Sequence, residues 1–361
     1  MLKSISLQKF RSYDKSEFSF EAITLIVGPN TSGKTNLIEA IYLLSTGKSF
    51  RTDKDIQMLK FGNEIARVKA RLQTPERSNS GQGKTEDEEL EVMLTNGQVN
   101  GGSQYKKFLV NGVAKRRVDF SGRLSAVLFS PQDLEIIIES PSLRRNFLDE
   151  VLEQVDRGYR IALISYVKAI RQRNALLEIA QETGARNTKQ FEYWDSLVIE
   201  NGQIITAKRQ EFIDFVNGQE KEIFDFVLNY DKSLISKERL LQYEEAEVAS
   251  GVTLVGPHRD DFSVLMANSG KTLHDIKFYG SRGQQRLAIL QLKMLEMQFI
   301  EKILGKRPIL ILDDVFSELD EGHINLILEE LGRQQTIITT THEEFVPKKL
   351  LKLMKIIKFS K

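Results

Sequence analysis

The chain has 361 residues, longer than a single hydrophobic core usually serves, which predicts two packed units. Apolar residues make up 41% and charged residues 28%, an ordinary globular balance, and the formal net charge of +1 predicts no polyanion partner from overall electrostatics. Cysteine is absent, which excludes disulfides, cysteine-ligated zinc and thiol catalysis, and no apolar run approaches the roughly 20 residues of a bilayer span. The N-terminus, "MLKSISLQKFRSYDKSEF", alternates polar and apolar residues and lacks the apolar core of a signal peptide, so a cytoplasmic protein is expected.

In chain order, "LKSISLQKF" alternates like a half-buried strand and "AITLIVG" (22–28) reads as a buried one. "NLIEAIYLLSTG" (36–47) has helical periodicity closed by glycine. Residues 64–73 and 90–94 read as strands around the polar "TPERSNSGQGKTEDEE", and "YKKFLVNGVAKRR" (105–117) as a hairpin turning at "NG". "SAVLFSPQDL" (125–134) is another buried strand ending in a loop. Residues 142–248 repeat apolar residues at three and four with few strand signals, which predicts a helical block. "GPHRDDFSVLMANSGKTLHDIKF" follows as a hairpin around "NSG", then a helix (284–304). A buried strand in "RPILILDDV", a helix in "EGHINLILEEL" and a strand in "QTIITTT" complete the pattern. An α/β unit, residues 1–140 and 299–361, is thus split by a mainly helical unit over 141–298.

Three motifs carry chemistry. Gly28-Pro29-Asn30-Thr31-Ser32-Gly33-Lys34-Thr35 matches the phosphate-loop pattern, between a strand and a helix as that pattern requires. Its backbone N–H groups can converge on an anion, and the helix N-terminus adds a favourable dipole. Lys34 is placed to reach β and γ phosphates, and Thr35 to coordinate Mg²⁺ through its hydroxyl. In "ILILDDV", Asp313 and Asp314 end a buried strand, where adjacent carboxylates cost desolvation unless a cation or hydrogen bonds compensate. Mg²⁺ on Asp313, with Asp314 orienting or deprotonating a water, is the functional reading; a helix-capping Asp pair is the plain one. In "YGSRGQQRLAILQLKMLEM", Ser281 and Gly283 precede a long amphipathic helix and can form a second phosphate site. One triphosphate in a phosphate loop does not need that site, so it is expected to serve the nucleotide of a second subunit. Serine as an ordinary N-cap explains the motif equally well.

In order, the phosphate loop, Gln132 in "FSPQDL", "SRGQQ", "LILDDVFSELD" and "TTTHEE" resemble an ABC-type ATPase head, and "LQKFRSY" resembles its SMC-like branch. "SFRT" (49–52), "SPSLRRNFLD" (140–149), "GPHRDDF" (256–262) and "GSRGQQR" (280–286) resemble the RecF family of recombination-mediator ATPases. The resemblance implies an α/β fold, a P-loop ABC-type ATPase head with an inserted, mainly helical second lobe. Lobe I would be 1–140 with 299–361, carrying Walker A, Q-loop and Walker B, and lobe II 141–298, ending in the signature motif. It implies ATP and Mg²⁺ as cofactors, an ATP-dependent homodimer gripping single- and double-stranded DNA in repair and replication, slow DNA-stimulated hydrolysis, RecO and RecR as partners, and no membrane.

By position, it implies that the loop through Asn36 binds nucleotide and that Gln132 senses Mg²⁺ and the γ-phosphate. It further implies that Ser281, Arg282, Gly283 and Gln284 contact ATP across the dimer, that Ser317, Glu318, Leu319 and Asp320 lie between subunits, and that Arg11 and Ser12 approach the nucleotide. His342 falls at a switch-histidine position, where a solvent-facing polar residue is an equal alternative. Two departures stand out: Asp314 replaces the usual catalytic glutamate, and Arg282 replaces the first signature glycine.

Lys106, Lys107, Lys115, Arg116 and Arg117 cluster on the 105–117 hairpin, with Arg144 and Arg145 further on. The hairpin is the expected DNA surface, against a solvated face with neutralising acids nearby. The C-terminal "PKKLLKLMKIIKFSK" sets lysines along an amphipathic segment, read as packing on the α/β unit rather than as a membrane-surface helix. The "RDD" after His258 reads as an ion-pair cluster joining the lobes. The leading function is an ATP-gated DNA clamp; a transporter ATPase subunit and a metal-dependent nuclease with an ATPase head are the competitors.

Overall fold

The structure, a computed structural model, describes residues 1–75, 85–98, 105–267, 272–315, 332–346 and 351–359. Along the chain run β1 (Leu2–Phe10), β2 (Tyr13–Ser19), β3 (Ile23–Val27), α1 (Lys34–Thr46), β4 (Ile65–Pro75), β5 (Thr85–Thr95), β6 (Tyr105–Val110), β7 (Val113–Lys115), α2 (Arg117–Phe120) and β8 (Ala126–Phe129). Then come α3 (Glu135–Ile138), α4 (Pro141–Val155), α5 (Arg157–Thr183), α6 (Thr188–Gly218), β9 (Val227–Asp231), α7 (Lys237–Gln242), α8 (Glu244–Ser250), β10 (Asp261–Ala267), β11 (Leu273–Asp275), α9 (Ile276–Tyr279) and α10 (Arg282–Leu304). The last strands are β12 (Ile309–Asp313), β13 (Thr336–Thr340) and β14 (Lys355–Lys358). Two units result, Met1–Gln132 with Ile300–Lys361, and Asp133–Phe299.

The first unit carries two sheets. The order β2-β1-β4-β5-β6-β7 is antiparallel throughout, and β14-β3-β13-β12-β8 is parallel throughout. Every residue of β8, β12 and β13 is buried, as expected of strands in a parallel sheet covered on both faces. Helix α1 is buried nearly all round, because Leu37, Ile41 and Leu44 share one core with Ile5 and Leu7 of β1, Leu90 and Val92 of β5, and Ile311 and Ile337 of the parallel sheet. The "NG" turn is of the type that matches strand twist: Asn111 and Gly112 both have positive φ, 50° and 74°.

In the second unit, α4 and α6 pack on a three-stranded sheet, β11-β10-β9, and α5 packs on α4 and α6. This corrects the continuous helical block. Residues Val227–Asp231 extend because β10 offers an antiparallel edge and because Asn217 bonds both backbone groups of Leu228, each at 2.8 Å. In the C-terminal lysine-rich segment Lys355–Lys358 is an edge strand pairing with β3, which joins it to the α/β unit as expected. The expected helix in "EGHINLILEEL", the "NSG" turn and the tip at 76–84 lie outside the described residues. No helix among the described residues is long and apolar enough to cross a membrane.

Among the described residues, the hydrogen-bond and ion-pair partners of the "RDD" carboxylates lie in the second unit. Asp260, fully buried, accepts from Arg209 Nη1 (3.2 Å), the Ser233 N–H (2.7 Å) and the Tyr230 hydroxyl, and Asp261 accepts twice from Arg144 (2.6 and 3.0 Å). All these partners lie within 133–299, so the lobe-joining reading is withdrawn.

His258 sits beside this cluster. Its Nε2 donates to the Thr253 carbonyl (3.0 Å), so its Nδ1 accepts from the Tyr166 hydroxyl (2.7 Å) and the ring is held neutral. Burial, and then the charges of Arg259 and Arg145, push its pKa down from 6.5 to about 4. The unfolded chain binds the proton first, so this contribution is complete above pH 6.5 and is lost as pH falls through 4. Its ceiling is roughly 3 kcal/mol. Melting curves recorded from neutral to acid pH should fall more steeply for the parent than for His258→Asn; parallel curves would refute it.

Candidate functional site

The candidate site is built where the parallel strands end. β3 runs into the 28–33 loop, β12 into Asp313 and Asp314, β13 towards His342, and β8 into a 3₁₀ turn, Pro131–Leu134, that carries Gln132. Register places Asp313 opposite Thr339 and Val27 opposite Thr340, and the Gly28 N–H donates to the Thr340 carbonyl at 3.2 Å. The carboxyl ends of such strands are where open α/β sheets receive ligands.

Sterics fix the loop. Gly33 takes φ 104° at the N-cap of α1, and a Cβ there would lie 2.9 Å from the Tyr13 hydroxyl oxygen, which itself donates to the Gly33 carbonyl (3.0 Å). A Cβ on Gly28 would lie 2.7 Å from Cβ of Phe359. Thr31 holds φ 71° between them. The Lys34 side chain, only 3% exposed, donates to the carbonyls of Gly28 (2.8 Å) and Pro29 (3.2 Å) and stands 3.9 Å from Asp314. Ser32 Oγ is buried with no hydrogen-bond partner among the described residues.

Across from the loop, Thr339 Oγ1 donates to Asp313 (2.5 Å) and accepts from the Asp314 N–H (3.0 Å), and Asp314 has φ 51°. The Thr35 side chain also hydrogen-bonds to Asp313. Burial, more than the neighbouring Asp314 charge, holds the Asp313 carboxyl above its ordinary range, so a cation here relieves a real cost. Among the described residues no three His, Asp or Glu side chains converge as a metal cage. Thr35 and Asp313 therefore suit an ion that draws its remaining ligands from phosphate and water, as Mg²⁺ does. The orphaned Ser32 hydroxyl, the glycine-lined turn and the buried ammonium suit the phosphates.

Arg11 and Ser12 lie on the turn between β1 and β2, tied to α1. Arg11 forks onto Glu39 (2.8 and 2.5 Å), Ser49 Oγ donates to the same carboxylate (2.5 Å), and Arg51 lies 3.5 Å from it. Arg51 also donates to Asn36 (2.9 Å), which donates to Ser12 Oγ (2.9 Å). Sequence reasoning missed Glu39, fully buried in α1. The available signal was an acid on an otherwise apolar helix together with the unassigned Ser49 and Arg51 of "SFRT".

Gln132 and His342 are both exposed at the same strand ends. Ser281, Arg282, Gly283 and Gln284 lie on the other unit. The Gln284 N–H donates to Ser281 Oγ (3.3 Å) while the Ser281 N–H donates to Gln284 Oε1 (2.8 Å), a reciprocal capping box. A Cβ on Gly283 would meet nothing closer than Ser281 Oγ at 3.9 Å, so this chain's own packing does not require glycine there. Ser317, Glu318, Leu319 and Asp320 lie outside the described residues.

The basic hairpin needs correction. Lys106 Nζ donates to the Gly47 carbonyl (3.0 Å) and to Asp55 (2.6 Å), and Arg117 donates to the Thr46 carbonyl (3.4 Å). These two cations complete the C-terminus of α1, where carbonyls lack helical partners and the dipole favours positive charge. Lys107, Lys115 and Arg116 remain exposed, Arg116 with an ion pair to Asp119 at 3.0 Å. Arg144 is buried against Asp261.

The sequence profile of the RecF/RecN/SMC N-terminal domain matches residues 1–361. The chain is 35% identical to the DNA replication and repair protein RecF of Shouchella clausii, over 94% of this chain and 92% of that one. It is 36% identical to the RecF of Agathobacter rectalis, over 96% and 94%. The chain belongs to the RecF family. A solved recombination mediator protein RecF, described as RecF-ATP in the RecFOR pathway, matches with TM-score 0.83 and 31% identity over 96% of this chain and 93% of that one. An archaeal Smc head domain matches at TM-score 0.52 and 16% identity, over 95% of this chain and 90% of that one, a likeness of fold. The RecF-family architecture is thus the P-loop ABC-type head expected from the sequence.

Proposed function

We propose that the chain is an ATP-gated DNA clamp in which two copies close over two nucleotides, each held by the phosphate loop of one copy and by Ser281 to Gln284 of the other. Beneath that reading stands a coarser statement: the chain is an ABC/SMC-type ATPase of DNA replication and repair, with ATP and Mg²⁺ as its ligands. The transporter-subunit alternative is without support, since the full-length relatives are DNA replication and repair proteins. The observation that carries the clamp is a complete triphosphate cradle on one unit accompanied by a second capped helix start, whose Gly283 leaves its backbone open to a ligand.

In this reading Lys34 and the 28–33 N–H groups bind the β and γ phosphates, and Thr35 and Asp313 hold Mg²⁺, which neutralises phosphate charge. Asp314 orients the attacking water, with Gln132 and His342 at the γ-phosphate end. The shorter aspartate gives slow hydrolysis, stimulated by DNA. Glu39 keeps Arg11 beside the nucleotide. DNA, single- or double-stranded, meets Lys107, Lys115 and Arg116, and RecO and RecR are the proposed protein partners in a cytoplasmic repair assembly. ATP promotes closure only through its higher affinity for the closed dimer. Sedimentation velocity with and without ATP–Mg²⁺ tests the reading: a nucleotide-dependent dimer is expected, and a chain still monomeric at saturating ATP overturns it.

A further inference from the structure

Several buried or half-buried arginines of the second unit have a carboxylate. Arg144 pairs with Asp261 (2.6 Å), Arg173 with Asp195 (2.6 Å) and Glu247 (2.7 Å), Arg186 with Asp195 (3.7 Å), and Arg209 with Asp149 (2.7 Å) and Asp260 (3.2 Å). Arg145 and Arg259 do not: among the described residues neither has a carboxylate oxygen within 4.0 Å. Each donates to one backbone carbonyl only, Arg145 to that of Asp260 (2.8 Å) and Arg259 to that of Thr253 (3.1 Å). Arg145 therefore touches the carbonyl of the residue that follows Arg259, and both charges act on the same His258 ring.

The local balance is four guanidinium groups, Arg144, Arg145, Arg209 and Arg259, against three carboxylates, Asp149, Asp260 and Asp261. Those carboxylates are already engaged by Arg144, Arg209, Tyr159, Tyr230 and the Ser233 N–H. Burial, and then Arg209, push the Arg145 guanidinium pKa down against the pull of Asp261, Asp149 and Asp260, none of which pairs with it directly. The backbone that carries Arg259 is pinned. Gly256 has φ 122°, and a Cβ there would fall 2.3 Å from the Tyr166 hydroxyl oxygen, so only glycine seats this turn on Tyr166. A Cβ on Gly202 of α6 would lie 3.3 Å from Pro257. The two guanidiniums are thus presented from fixed supports, and the neighbouring Ser142 and Asn146 are polar and exposed.

We infer that Arg145 and Arg259 form a phosphate-receiving site on the helical unit, one that takes the phosphodiester backbone of a nucleic acid. Guanidinium forks match phosphate oxygens, and a polar surround with surplus positive charge suits a repeating polyanion better than a peptide that needs apolar anchors. This gives the "SPSLRRNFLD" and "GPHRDDF" segments a task that the nucleotide site leaves unassigned. The inference rests on the DNA-binding part of the reading above.

Anisotropy of a labelled duplex with ATP–Mg²⁺ across a salt series tests it. Arg259→Gln, Arg145→Gln and the double variant are compared with the parent and with a hairpin variant carrying Lys107→Gln, Lys115→Gln and Arg116→Gln. Each arginine removed should flatten the slope of log affinity against log salt by about one, with ATP affinity and ATP-driven dimerisation unchanged. Arg259 is exposed, so Arg259→Gln carries the test even where Arg145→Gln folds poorly. An unchanged slope in Arg259→Gln, with loss only in the hairpin variant, overturns this inference and leaves DNA binding by the chain standing. A parent that binds no DNA removes the clamp reading and this site with it. Loss of binding to poly-glutamate but not to DNA would assign the site to an acidic protein and overturn it as well.

Discussion

Lys34→Met is expected to abolish ATP-driven dimerisation by removing nucleotide binding. Lys34 is the ammonium at the centre of the loop, nearly buried and within 3.2 Å of two loop carbonyls. A charge-assisted hydrogen bond is worth about 1.5–3 kcal/mol. Losing two of them to phosphate costs about 3–6 kcal/mol, or roughly two to four orders of magnitude in affinity. Methionine keeps the length and apolar stem but leaves the Gly28 and Pro29 carbonyls without their donor, so a modest fall in melting temperature without nucleotide is expected beside the loss of binding. Isothermal titration with ATP–Mg²⁺ and sedimentation read the two consequences separately. Wild-type affinity in Lys34→Met would mean that the triphosphate is held elsewhere.

Ser281→Arg should have the opposite profile, with ATP binding by the isolated chain intact and the ATP-driven dimer lost. The capping box complicates this substitution. Removing the Ser281 hydroxyl also frees the Gln284 N–H and costs the helix about 1 kcal/mol. Ser281→Asp separates the two effects, since aspartate caps as well as serine but sets a negative charge against phosphate. Both variants should remain monomeric with ATP while Ser281→Asp keeps the parent's melting temperature. A Ser281→Asp protein that dimerises normally would reduce the serine to a helix cap.

Local chemistry was readable from the sequence, and long-range partnership was not. The glycines around Lys34, the "NG" turn and the Ser-x-x-Gln cap are short-range patterns whose geometry follows from φ preferences and orphan N–H groups, and the structure forms each of them. Lys106 and Arg117 looked like free charge because the Gly47 and Thr46 carbonyls they serve lie 59 and 71 residues away. Arg144 looked solvated for the same reason, its Asp261 partner being 117 residues downstream. Strand β9 was hidden because its five residues extend only where β10 and Asn217 supply partners. Glu39 is the clearest case: a glutamate on a helix reads as surface until Arg11, Ser49 and Arg51 surround it.

The order of the parallel sheet also bears on how the chain acquires its activity during synthesis. β3, the strand that launches the phosphate loop, is flanked by β13 and β14, both more than 300 residues later in the chain, and Phe359 walls the turn at Gly28. A ribosome has therefore made almost the whole polypeptide before the cradle can close. Nascent fragments expose the loop's sequence without its shape, and competence to bind nucleotide arrives late and all at once.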